Sequence, residues 1–226
     1  MFPTGSSTAG KQWPLVMYAI VGLNILLYLW DRQWHLFAPA GLVFADLQMR
    51  PEQVMLALNG TGDRIALVTL VTSLFLHGNL MHIVGNLVFL VTFGDAVEEA
   101  LGSWRFALYY LFWGIVAAVV QIFVDPSANT PVLGASGAIG GVLGAYFLLF
   151  PASKIEVWVL FLTFVADAWK LLGGWFLFQI LFTHEGVANW AHAGGFLAGM
   201  ITVLVMGGRS AVLKGRETDF EDILVN

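Results

Sequence analysis

The sequence predicts an all-α polytopic membrane protein, a bundle of six transmembrane helices with a long membrane-associated first loop. Three observations predict it. Apolar residues make up 58% of the 226 positions and charged residues only 11%, against roughly 25% charged in a soluble domain. The apolar residues fall into separate stretches, most of them near the ~20 residues that one spanning helix needs. Charged and turn-forming residues collect between those stretches.

Taken in order, residues 1–12 are Gly/Ser/Thr-rich with one positive charge, Lys11, and read as a short flexible tail. Span one, 13–30, is apolar apart from Asn24, with Trp13 and Trp30 as interfacial anchors. It lacks the basic start and small-residue cleavage site of a signal peptide. Residues 31–69 form the longest connection, holding Pro39, Gly41, Pro51, Gly60 and Gly62 among many apolar residues. This loop cannot span. Within it, 42–47 and 51–58 could form short helices lying in the interface, or the loop could pack as ordered coil on the bundle.

Span two, 80–101, contains His82 and Asn86, with His77 just before it, and ends in the run Gly94 to Glu99. Span three covers 104–124 and is closed by Asp125-Pro126. After a polar turn, span four occupies 136–150 and holds four glycines. So short a segment does not cross the hydrocarbon alone, which places Ser136 below the membrane surface in a protein-lined cavity. Over 154–182 two arrangements compete, one long helix with charges near its middle, or an interfacial hairpin followed by a span starting near Ala166. The second costs less, because Lys170 can then snorkel to an interface. Span six runs over 187–206, and 207–226 is a mixed-charge tail.

With six spans the two termini share a side. Lys11, Arg105, Lys154, Lys170, Arg209, Lys214 and Arg216 fall on that side, and Arg32, Arg50 and Arg64 lie opposite in the long loop. The positive-inside rule therefore makes 1–12 a cytoplasmic tail, 13–206 the six-helix membrane domain and 207–226 a second cytoplasmic tail. The ends of spans two, four and six that carry His82, Ser136 and His192 then open toward the external face. A net charge of −5 without a basic stripe offers nothing to nucleic acid, and the absence of cysteine excludes disulfides and thiolate chemistry.

Polar side chains at membrane depth are costly and usually functional. His82 and Asn86 share one face of span two. Gly137, Gly140, Gly141 and Gly144 form a smooth stripe beside Ser136, and His192, Gly195 and Gly199 share a face of span six. Small faces let helices approach closely, so packing of spans four and six along these stripes would bring Ser136 and His192 within hydrogen-bond reach. A serine beside a histidine base is an activated nucleophile. His82, Asn86 and the backbone N–H of Ser136 are suited to stabilise an oxyanion. No Asp or Glu lies at matching depth, so the expected site is a Ser–His dyad without an acidic third member.

These residues resemble the rhomboid family of intramembrane serine proteases. The matching motifs are His77-Gly78-Asn79-Leu80-Met81-His82-Ile83-Val84-Gly85-Asn86, then Gly134-Ala135-Ser136-Gly137 with Gly144-Ala145-Tyr146, then Ala191-His192-Ala193-Gly194-Gly195-Phe196-Leu197-Ala198-Gly199. Glu98-Glu99-Ala100-Leu101-Gly102 resembles the family's acidic signature. The resemblance implies Ser136 as nucleophile, His192 as base and then acid, and His82 with Asn86 as oxyanion donors. It also implies a gate near span five, no cofactor or metal, and transmembrane protein substrates in the lipid bilayer, often cut after a small residue. A bacterial inner membrane is the expected location.

Two departures stand out. Where the family often has Trp-Arg before the His77 region, this chain has Ala66-Leu67-Val68-Thr69. Gly140 leaves no ring where some members stack one on the base, which leaves Trp190 or Tyr146 as candidates to orient His192. Rival readings are a non-catalytic rhomboid-like client-binding protein, disfavoured because Ser136 and His192 are both present, and a transporter, disfavoured because the polar groups cluster at one end. A zinc protease is disfavoured too, since His184-Glu185 lacks the second histidine of His-Glu-x-x-His.

Overall fold

The computed structural model describes residues 2–8, 12–34, 44–159, 162–182 and 187–214. Lys11, Pro39, Gly41, His184-Glu185 and the tail beyond 214 lie outside the described residues. The chain is mostly helical. Helices α1 (Leu15–Asp31), α2 (Pro51–Leu58), α3 (Ile65–Thr72), α4 (Leu80–Leu101), α5 (Ser103–Val124), α6 (Ser136–Leu149), α7 (Ala168–Leu181), α8 (Asn189–Val205) and α9 (Gly208–Val212) are joined by a small sheet of β1 (Phe2–Ser6), β2 (Lys154–Val159) and β3 (Leu162–Asp167). Helices α4 and α5, 22 residues each, are long and apolar enough to cross a membrane, whereas α1, α6, α7 and α8 are apolar helices of 14 to 17 residues.

The elements follow from local chemistry. Pro51 stands at the first turn of α2, where its missing N–H costs nothing. Asn79 caps α4, its side chain accepting the His82 N–H at 2.8 Å. Gly102, at φ +84°, makes the tight turn from α4 into α5. The core lies between α4, α5, α6 and α8, with Phe93, Tyr110, Trp113, Tyr146 and Phe196 fully buried. Trp113 donates its indole N–H to Thr202 at 2.9 Å, which satisfies that buried polar edge.

The acidic pair near the C-terminal end of α4 pins α1. Buried Glu98 accepts from the backbone N–H groups of Val16 (3.1 Å) and Met17 (2.7 Å) and from the Ser103 hydroxyl (2.6 Å), and the Gln12 N–H reaches Glu99 at 3.3 Å. A carboxylate there satisfies the unpaired donors and complements the helix dipole.

Two regions differ from expectation, and a third follows it. The first residues, expected as a flexible tail, form β1, because Phe2–Ser6 finds the free edge of β2 and pairs with it antiparallel, Phe2 opposite Trp158 and Ser6 opposite Ile155. The end of the long connection, expected as loop, starts an apolar helix, α3, ahead of α4. It is braced without Trp-Arg: the Val132 N–H donates to the Met49 carbonyl at 2.7 Å, the Glu52 N–H to that of Ala128 at 3.0 Å, and the Thr72 hydroxyl to that of Leu47 at 2.9 Å. Residues 154–167 form a hairpin before α7, which is the second of the two arrangements considered. Lys154 and Lys170 both pair with Asp167 at its base.

Candidate active site

Helix α6 begins at Ser136, so its first-turn N–H groups have no intrahelical acceptor. The turn that feeds it needs Gly134, at φ +122°, whose N–H donates to the Ser73 carbonyl at 2.9 Å. Helix α8 places His192 in its first turn, the His192 N–H donating to Ala188 at 3.2 Å.

Glycines bring these two helix starts together. A methyl group on Gly195 would land on the carbonyl oxygen of Gly137, one on Gly199 on that of Gly141, and one on Gly144 on that of Phe196. The backbones therefore touch along the length of the contact. Gly140 belongs to the same seam. Its added Cβ would stand 2.7 Å from the His192 carbonyl, so no ring fits there. At the open end of this seam Ser136 Oγ lies 2.8 Å from His192 Nε2.

The other His192 nitrogen, Nδ1, lies 2.9 Å from Gln179 Oε1 on α7, and the Trp175 ring is tilted 34° against the imidazole with centroids 5.9 Å apart. These α7 side chains stand where Trp190 or Tyr146 was expected. Tyr146 is nearly three turns away along α6, about 15 Å, and its hydroxyl bonds Ser6 (2.5 Å) and Ser153 (2.7 Å) instead. Sequence reasoning passed over Gln179 and Asn189, whose Nδ2 donates to Gln179 Oε1 at 2.9 Å. The signal was present: a glutamine inside an apolar run at membrane depth needs a partner.

His82 and Asn86 reach the same turn from α4. The position a Gly134 Cβ would take is 2.6 Å from His82 Nε2 and 3.5 Å from Asn86 Nδ2, so both side chains lie against the backbone leading into Ser136. Asn86 is buried, and its Nδ2 has no hydrogen-bond partner among the described residues. A buried donor left unpaired costs about 1–3 kcal/mol, so a partner for it is expected. His77 packs edge-on to His82, ring centroids 5.2 Å apart, and burial foremost, with His82 beside it, pushes its pKa down to about 3. Arg32, at the end of α1, donates to the carbonyls of His77 and Gly78 and so holds this loop.

A cavity of about 30 Å³ opens beside Ser136, lined in part by Met49, Leu74, Gly134, Gly137 and Ala191. It is roomy enough for a water molecule. A hydroxyl bonded to an oriented imidazole, with unspent donors around the same turn, is equipped for nucleophilic attack on a carbonyl.

The chain is similar to known proteins over much of its length. A family model described as Rhomboid domain matches residues 65–209. The chain is 29% identical over 141 residues to RHOMBOID-like protein 5 of Arabidopsis thaliana, covering 61% of this chain and 43% of the relative. It is 26% identical over 200 residues to Rhomboid protein 1, mitochondrial, of Saccharomyces cerevisiae, covering 82% and 51%. It is 31% identical over 144 residues to Rhomboid protease GluP of Bacillus subtilis, covering 61% and 26%. The chain thus spans about half the length of these relatives, or less.

Proposed function

We propose, from the premise that this chain belongs to the rhomboid family and is a membrane protein, that it is an intramembrane serine endopeptidase. The observation that carries the reading is the 2.8 Å bond between Ser136 Oγ and His192 Nε2 at the start of two closely packed helices. Ser136 is the nucleophile. As Oγ attacks the scissile carbonyl, its proton passes to His192 Nε2, and the carbonyl oxygen becomes an oxyanion. Asn86 Nδ2, the His82 imidazole and the Ser136 backbone N–H donate to that oxyanion. His192 then gives its proton to the departing amine. Water, deprotonated by the same base, hydrolyses the acyl-enzyme and regenerates Ser136.

The substrates are transmembrane segments of other membrane proteins. They reach the site laterally past α7, a helix whose outer face presents exposed Leu177, Phe178 and Leu181. Helices α1, α4, α5, α6, α7 and α8 are the six spans, with both termini cytoplasmic as the placement of Lys and Arg favours, and the host membrane is a bacterial inner membrane. The short α6, about 21 Å long against ~30 Å of hydrocarbon, supports a nucleophile set below the surface.

Ser136→Ala and His192→Ala should each abolish cleavage of a reporter with a helix-destabilised transmembrane segment while the protein stays folded. A fluorophosphonate probe should attach at Ser136. Full activity in either variant, or an adduct elsewhere, would overturn the assignment.

A further inference from the structure

Gln179 is buried on α7 and has no role in the chemistry above. Its Oε1 lies 2.9 Å from His192 Nδ1 and 2.9 Å from Asn189 Nδ2, and Asn189 Nδ2 also stands 3.5 Å from the Phe182 carbonyl oxygen. Amide oxygens and nitrogens are told apart by their partners, and a carbonyl only accepts. The Asn189 atom facing Phe182 is therefore its NH2. The Gln179 atom facing that NH2 is its oxygen, and the His192 nitrogen facing that oxygen carries hydrogen. Nε2 is left with the lone pair that the Ser136 hydroxyl needs.

We propose that Gln179 is a positioning residue for His192, a neutral amide that selects the Nδ1–H tautomer and fixes the ring as a buried carboxylate does in a Ser-His-Asp triad. Asn189 and the Phe182 carbonyl set the direction of that amide. An amide is cheaper than a carboxylate to hold at this depth. It also makes α7, rather than the seam of α6 and α8, the element that sets the base. This inference rests on the reading of Ser136 and His192 as nucleophile and base.

The test uses the full chain in detergent micelles. Gln179→Met removes the acceptor at similar volume and should lower kcat about 10-fold or more with KM unchanged, because either tautomer then becomes available. Gln179→Glu keeps an acceptor toward both Nδ1 and Asn189 and should restore kcat to within a few-fold of the parent. Nitrogen-15 spectra of histidine-labelled protein, with His192 assigned by its loss in His192→Ala, should place the proton on Nδ1 in the parent and on both nitrogens in Gln179→Met. Unchanged kcat in a folded Gln179→Met, or a parent spectrum with the proton on Nε2, overturns the proposal. Persistent cleavage by Ser136→Ala would instead sink the nucleophile assignment, and the spectrum would still report whether Gln179 sets the tautomer.

Discussion

Asn86 is the buried side chain that the proposed oxyanion site would use. Its Nδ2 is shut away from water and has no partner among the described residues, beside the turn that presents Ser136. Replacing it with alanine should lower kcat by about 10²- to 10³-fold, the loss measured when one oxyanion donor is removed, with little change in KM. Unaltered kcat would remove Asn86 from the oxyanion site. His77 carries a different kind of prediction. Its folded-state pKa of about 3 lies below the ordinary 6.5, so between those values the unfolded chain holds a proton that the folded chain excludes. Stability is then full above pH 6.5 and falls as pH drops toward 3. Thermal unfolding followed in detergent across that range should show the slope, and His77→Gln should flatten it. An identical slope in both proteins would assign the acid sensitivity to other groups.

At the scale of elements, the contact between α6 and α8 decides whether there is a site at all. Their two chemical groups come from helices that meet only because glycine hydrogens face carbonyl oxygens. The spacing of those glycines was legible in the sequence, and so was the Ser136–His192 approach it permits. What the spacing could not contain is the rotation of α7, because an isolated glutamine in an apolar run carries no periodicity that says which neighbour it faces. Gly199→Ala tests the seam. Its methyl would fall on backbone, the Gly141 carbonyl, so the helices must part, at a cost of about 1–3 kcal/mol. Both melting temperature and cleavage rate should drop. Gly174→Ala on α7 is the matched control, since nothing lies within 4 Å of its added Cβ, and there the exchange should be neutral or raise stability by about 0.5–1 kcal/mol. Equal behaviour of the two variants would mean that the seam is not tightly packed.

At the scale of the whole molecule, the long helices were readable because their apolar lengths are local, while α3 and the sheet were not. Strand β1 is Gly/Ser-rich and reads as a tail until its partner, over a hundred residues on, supplies an edge. That pairing ties the start of the chain to the base of α6. Ser6 and Ser153 converge on the buried Tyr146 hydroxyl, and Thr8 donates to Ser153 at 2.9 Å, so three hydroxyl-bearing segments close one polar knot under the apolar core. Tyr146 also packs edge-on against Phe93 of α4, ring centroids 5.0 Å apart. Strand, hairpin and both helices therefore share one anchor, at the opposite end of α6 from Ser136. Tyr146→Phe keeps the ring and deletes only the hydroxyl, removing its bonds to Ser6 and Ser153, which keep their bonds to Thr8, at a cost of about 0.5–1.5 kcal/mol per bond lost. For a chain of this size each kcal/mol lowers the melting temperature by about 2–4 °C. Deleting residues 2–8 should produce a drop at least as large, and combining the two changes should cost less than their sum, because both break the same knot. Full additivity in that double variant would show that β1 and Tyr146 act independently.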